Sequence, residues 1–115
     1  MASDIPRGGH LVGRSQDAQA RSFHGVEIDI LVSGSEGMVT KMRFKEGDNV
    51  PFHTHPNIQS GYVVSGRMRL RTREIDEVLG PGDSYSVPGG MEHSIEVLEP
   101  GEVIDVFVPP REDFL

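Results

Sequence analysis

Three histidines and one glutamine in this chain have the spacing of a metal chelate. His53 and His55 lie two residues apart on a stretch that reads as extended, Pro51 to His55. A strand's period of two sends both imidazoles to one face, a few ångströms apart. Gln59 follows across the Pro56-Asn57 turn and can bring an amide oxygen to the same point. His93 comes from a strand far along the chain. Together they form a neutral donor set that leaves room for water or substrate on a five- or six-coordinate ion. Imidazole suits zinc, nickel, copper, iron and cobalt, so donor type alone does not choose the metal. Cysteine is absent, which rules out thiolate ligands and a disulfide scaffold and suits a reducing compartment. His10 and His24 lack such company and read as solvated surface residues.

A second group lies near the C-terminus. Alternation along Val103-Ile104-Asp105-Val106-Phe107-Val108 puts Val103, Asp105 and Phe107 on one face. A carboxylate among valines and isoleucine is costly without a partner. Asp105 is therefore either paired in a barrel mouth or solvated outside. If it is inside, it is a candidate general acid or base, Phe107 is an apolar wall, and Arg111, beyond the rigid Pro109-Pro110 link, can clamp a carboxylate with its planar fork.

The elements that must position these groups are strands. In 115 residues there are 14 Gly and 8 Pro, a density that favours short strands and tight turns over long helices. The length fits one domain with one core. Strands are expected at Val26 to Val32, Met38 to Phe44, Gly61 to Ser65, Arg67 to Arg73, Asp83 to Val87, Glu92 to Leu98 and Glu102 to Val108. The turns between them include Glu46-Gly47-Asp48-Asn49, Gly80-Pro81-Gly82-Asp83, Pro88-Gly89-Gly90 and Glu99-Pro100-Gly101. No amphipathic run at helical period is present, so the fold class is all-β, a sandwich or barrel. Met38, Met42 and Met68 fit core packing. Residues 1–22 read as a polar N-terminal arm or edge strand, and residues 23–115 as the barrel domain.

The net charge is -7. So acidic a chain is unsuited to nucleic acid or to an anionic membrane. The alternating Arg67, Arg69, Arg71 and Arg73 read as a charged outer barrel face whose partners are acidic side chains elsewhere. Met1 to Arg14 has no apolar run of signal-peptide or membrane-spanning length, so a cytoplasmic location is expected. Exposed sheet edges and the arm make a homodimer the expected assembly.

The motif spacing carries a family resemblance. Gly47-x5-His53-x-His55-x3-Gln59-x6-Gly66 resembles the first cupin motif, and Gly82-x5-Pro88-x-Gly90-x2-His93 the second. The resemblance implies a single-domain cupin, a double-stranded β-helix or jelly-roll-like barrel, holding one divalent transition metal ion (zinc, nickel, iron, manganese or cobalt). Two positions depart from the family pattern: Gln59 stands where a glutamate ligand is usual, and Val97 where asparagine is. A neutral Gln59 leaves the ion with a fuller positive charge and more Lewis-acidic. The segments Pro51-Phe52-His53-Thr54-His55-Pro56 and Asp105-x-Phe107-x-Pro109-Pro110-Arg111-Glu112-Asp113-Phe114-Leu115 resemble the small pectin-degradation cupins. Those proteins open 4,5-unsaturated monouronates to linear 5-keto-4-deoxyuronate. By that resemblance Asp105, Phe107 and Arg111 fall at the active site, and the small-molecule partner is an anionic sugar acid. A metal-dependent cupin dioxygenase and a non-catalytic sugar-binding cupin are the alternatives.

Overall fold

A computed structural model describes residues 11–115. His10 and the first ten residues of the expected arm lie outside the described residues. The strands are β1 (Gln19–Phe23), β2 (Val26–Ser33), β3 (Met38–Phe44), β4 (Asn49–His53), β5 (Ile58–Arg71), β6 (Asp76–Leu79), β7 (Ser84–Val87) and β8 (His93–Val108). They build the all-β, jelly-roll-like barrel expected from the sequence. All the pairings are antiparallel, in the order β1-β2-β3-β8-β5-β6, with β4 also on β8 and β7 also on β5. Among the described residues no helix is long and apolar enough to cross a membrane.

Period-two patterning decides which side chains enter the barrel. In β3, Met38, Thr40, Met42 and Phe44 are buried while Val39, Lys41 and Arg43 are only partly so. Met68 and Leu70 of β5 turn inward, against Ile95 and Val97 of β8. The arginines between them lie on the outer side and find partners there. Arg69 grips Asp76 at 2.6 and 2.7 Å, Arg67 lies 3.7 Å from Glu99, and Arg73 lies 3.6 Å from Glu92. Arg71 instead places its guanidinium over the Phe52 ring at 5.8 Å.

The structure corrects the expected strands in four places. The stretches expected as separate strands on either side of Gly66 form one strand, β5, and those on either side of Glu99-Pro100-Gly101 form one strand, β8. Glycine at these positions permits a close backbone crossing rather than a turn. A Cβ on Gly66 (φ +82°) would stand 2.7 Å from the Glu99 carbonyl, and one on Gly101 would overlap the Ser65 carbonyl. The register shifts there, as a bulge requires, so each long strand bends and serves both halves of the barrel. Asp76–Leu79, missed in the sequence, pairs with the outer half of β5, and only its Leu79 packs on the core. Finally, β4 spans Asn49–His53 rather than ending at His55. The first strand, β1, joins β2 through Phe23↔Val26 and runs across position 22, where the arm was expected to give way to the barrel.

Candidate metal and substrate site

His53 closes β4, and His93 opens β8 directly opposite it in register. His55 sits beyond the end of the strand, so its place is not set by strand alternation. Backbone contacts between the two motif loops hold it. The Gly90 N–H donates to the His55 carbonyl at 2.8 Å. Gly89 has no side chain, and a Cβ there would overlap the Pro56 carbonyl. The glycines of the second loop thus let it lie flat on the first. His24, in the β1–β2 turn, is exposed as expected.

The three rings converge. Ring centroids are 4.3 Å apart for His53 and His93, 5.0 Å for His55 and His93, and 5.5 Å for His53 and His55. One ligand atom from each histidine lies within 4.8 Å of the other two. Each Nδ1 meets a backbone carbonyl: Pro51 at 2.9 Å, Asn57 at 3.0 Å and Met91 at 2.8 Å. With Nδ1–H donating, the free lone pair falls on Nε2 in all three rings, the tautomer a cation needs. Burial lowers the pKa of all three from the ordinary 6.5, which also keeps the rings neutral.

Two details test whether a cation fits. The buried Nε2 of His93 has no protein hydrogen-bond partner. The Nε2 of His55 faces Gln59 Oε1 at 3.1 Å. With the His55 hydrogen committed to Asn57, two acceptors face each other across that gap, and a shared cation removes the repulsion. The donor set fits a divalent ion.

Behind this cluster lies a second polar pair. Asp105 is fully buried, and the Tyr85 hydroxyl donates to its Oδ1 at 2.5 Å. Gly61 pairs with both Tyr85 on β7 and Asp105 on β8. A Cβ on Gly61 would overlap the Tyr85 ring and stand 2.5 Å from Asp105 Oδ1, so the missing side chain is what allows this bond. Oδ2 is buried with no hydrogen-bond partner. Burial raises the Asp105 pKa to about 6; the Tyr85 hydroxyl, the nearby Gln59 amide and Arg111 restrain the rise. The Tyr85 pKa is raised well above 10, by burial first and then by the Asp105 charge. The alternatives left open for Asp105 thus resolve inward, and its partner is Tyr85.

Arg111 also lies inside, 5 % exposed. Its guanidinium sits 4.3 Å from the Phe114 ring, 5.0 Å from Phe23 and 5.3 Å from Phe107. Nε and Nη2 donate to the two oxygens of Asp113 at 3.0 and 2.6 Å. The edge of the fork expected to receive a ligand carboxylate is therefore held by the chain's own Asp113. Asn57 anchors this tail by donating to the Pro109 carbonyl at 2.7 Å and the Pro110 carbonyl at 3.2 Å.

An outer cavity of about 790 Å³ opens over these groups, bordered by Phe23, His53, His55, Asn57, Arg111 and Asp113. A second pocket of about 20 Å³ shares Phe23, His53 and Arg111 with it and is also lined by Gln59 and Phe107. Asp105 borders neither cavity; it lies one side chain deeper, beside Gln59 and Phe107. The structure thus brings His53, His55, Gln59, Phe107 and Arg111 to the cavity walls, with His93 clustered against His53 and His55 and with Asp105 just behind.

Residues 40–107 match the family model described as Cupin domain, and the chain belongs to the cupin family. Among solved structures, an RmlC-like cupin from Shewanella frigidimarina is 29% identical with a TM-score of 0.84, over 92% of this chain and 96% of that one. KdgF from Halomonas sp. is 28% identical with a TM-score of 0.81, over 90% and 99%. The polyketide cyclase RemF from Streptomyces resistomycificus shares the fold at 21% identity, TM-score 0.71, over 86% and 79%. No curated protein matches the chain.

Phe23, Asn57, Tyr85, Asp113 and Phe114 were not singled out from the sequence. Tyr85 carried a usable signal. Alternation in Ser84–Val87 puts it on the same face as Val87, and an inward tyrosine hydroxyl, like an inward carboxyl, needs a partner. Phe23 carried none, because its place depends on β1 folding over the mouth.

Proposed function

We propose that this cupin opens 4,5-unsaturated monouronates to the linear 5-keto-4-deoxyuronate. His53, His55, Gln59 and His93 would hold one divalent metal ion, and Asp105, Phe107 and Arg111 would serve the substrate. The observation that carries the reading is the buried Asp105 carboxyl, with one oxygen unpartnered, beside Gln59 and Phe107. The C-terminal pattern from Asp105 to Leu115 supports it through its resemblance to the pectin-degradation cupins, and the likeness to KdgF adds a solved relative of the same fold along nearly the whole chain.

The reaction is an isomerisation. The anomeric hydroxyl loses a proton, the bond from C1 to the ring oxygen breaks with its electron pair going to that oxygen, and the resulting enolate gains one proton at C4 to become the ketone. Nothing is oxidised or reduced. A bound divalent ion would supply Lewis acidity that stabilises negative charge on the sugar's oxygens. Asp105, with a pKa near 6, can accept and return a proton near neutral pH. Phe107 offers an apolar wall to the ring. Arg111 binds the uronate carboxylate.

The test is to mix metal-loaded protein with unsaturated galacturonate and follow loss of its near-ultraviolet absorbance. Acceleration over the spontaneous reaction is expected, without oxygen uptake. Uronate binding with no acceleration gives the sugar-binding alternative, and oxygen consumption gives the dioxygenase.

The Arg111–Asp113 pair adds a prediction. Asp113 is more than half exposed, at 57%, while Arg111 is buried. A substrate carboxylate must compete with Asp113 for the Nε/Nη2 edge. Asp113→Asn keeps the shape and removes the competing charge. KM is expected to fall by roughly threefold to tenfold, on the scale of a charge-assisted hydrogen bond partly offset by lost ordering of the fork. Steady-state kinetics in the absorbance assay measures it, and a KM that rises would show that Asp113 positions Arg111 rather than competes for it.

A further inference from the structure

Gln59 raises a problem that a glutamate in its place would not. The two oxygens of a carboxylate are equivalent, so either can face a metal ion. An amide has one oxygen and one NH2 group, and only the oxygen is a ligand. With Gln59 Oε1 facing His55 Nε2 at 3.1 Å, the NH2 group must point elsewhere, and something must make that orientation the stable one.

The strands beside Gln59 supply the means. Gln59 and Gly61 are two apart on the inward side of β5, where Gly61 pairs with Asp105 of β8 and with Tyr85 of β7. Tyr85 reaches across the gap left by Gly61 and fixes Asp105 Oδ1 at 2.5 Å. That leaves Oδ2, buried and unpartnered, as an acceptor at the back of the site. An acceptor there attracts the amide NH2 and repels the amide oxygen.

We infer that Tyr85 and Asp105 form a positioning pair that sets the orientation of the Gln59 amide and so presents its oxygen to the metal. The inference rests on the metal-site part of the proposed function and is independent of the uronate reaction. Tyr85 acts through Asp105, and Asp105 through Gln59. The arrangement ties the neutral ligand to features that a glutamate ligand does not require: a glycine at position 61, a tyrosine at position 85 and an acid at position 105.

Isothermal titration of the metal-free protein with Zn²⁺ or Ni²⁺ tests it, with folding checked by circular dichroism. Tyr85→Phe keeps the ring and releases Asp105. Its metal Kd is expected to rise on the order of tenfold, the lower end of what loss of an outer-shell partner does. The discriminating measurement repeats this in a Gln59→Glu background, where orientation no longer matters. There Tyr85→Phe is expected to change Kd by less than about twofold. A general loosening of the site would weaken binding equally in both backgrounds, and that result overturns the inference. An unchanged Kd for Tyr85→Phe with Gln59 present also overturns it. If Tyr85→Phe does not fold, Asp105→Asn is read in the same two backgrounds. A wild-type protein that binds neither ion overturns the metal site and this inference together. Metal binding without uronate turnover removes the proposed reaction alone.

Discussion

Asp105→Asn is expected to lower uronate turnover by on the order of a hundredfold or more at saturating metal, the usual contribution of a positioned acid–base group. The same change is expected to stabilise the metal-free protein at pH 8. Burial raises the Asp105 pKa from 3.8 to about 6. Between those values the folded protein holds a proton that the unfolded chain has released, so stability falls as pH rises through this window. At about 1.4 kcal/mol per pKa unit, the full cost above pH 6 is about 3 kcal/mol. Asparagine carries no ionisable proton and escapes it. The variant should therefore gain roughly 1–3 kcal/mol at pH 8 and little or nothing at pH 4, where the wild-type carboxyl is protonated. Urea unfolding of chelator-treated wild type and variant at the two pH values measures the difference, with the other carboxylates common to both. Equal destabilisation at both pH values would mean that Asp105 only fills space. A stabilised but inactive variant would mean that the fold tolerates this carboxyl for the sake of the site.

Much of this arrangement was legible in local patterns. Alternation in Met38–Phe44 and in the last strand separated inward from outward residues, because a barrel wall has one dry face and strands have a period of two. The loops carrying His53, His55 and His93 were legible from glycines: Gly47, Gly82 and Gly90 all have φ near +85°, which other residues rarely adopt. What could not be read was anything that depends on register between distant strands. Gly61 looked like an ordinary strand residue until Tyr85 and Asp105 proved to flank it. Gly66 and Gly101 looked like breaks, since sequence alone does not distinguish a glycine that ends a strand from one that lets two strands cross closely. His55 shows a spacing that held for another reason. The ring is near His53 as expected, yet the loop bond from Gly90 and the Asn57 carbonyl hold it, not the strand period.

Metal loading should dominate the stability of the wild-type protein, and His93→Ala should abolish that effect. With free metal a thousandfold above Kd, binding to the folded state alone adds about 4 kcal/mol. For a domain near this size that raises Tm by on the order of 15 °C. His93 is the decisive ligand because its Nε2 is buried with no protein partner, so in the metal-free protein that atom contributes desolvation cost without a bond. Its removal leaves only two imidazoles and an amide, and costs the metal-free protein far less than it costs the loaded one. The expected result is a large Zn²⁺- or Ni²⁺-dependent rise in Tm for wild type and almost none for His93→Ala, with the two metal-free values much closer together. Acid should act in the same direction as the mutation. Burial lowers the pKa of His53, His55 and His93 below the ordinary 6.5, so protons compete with the metal only in more acid solution. In the metal-free protein the sign follows from proton counting. The folded state binds fewer protons at these rings than the unfolded chain, so their contribution to stability is full above pH 6.5 and is lost as pH falls. The metal-dependent part of Tm should therefore persist to a pH somewhat below 6.5 and then collapse. A melting series with and without chelator across that range separates this behaviour from a merely structural histidine cluster, which would show the acid loss and no response to metal.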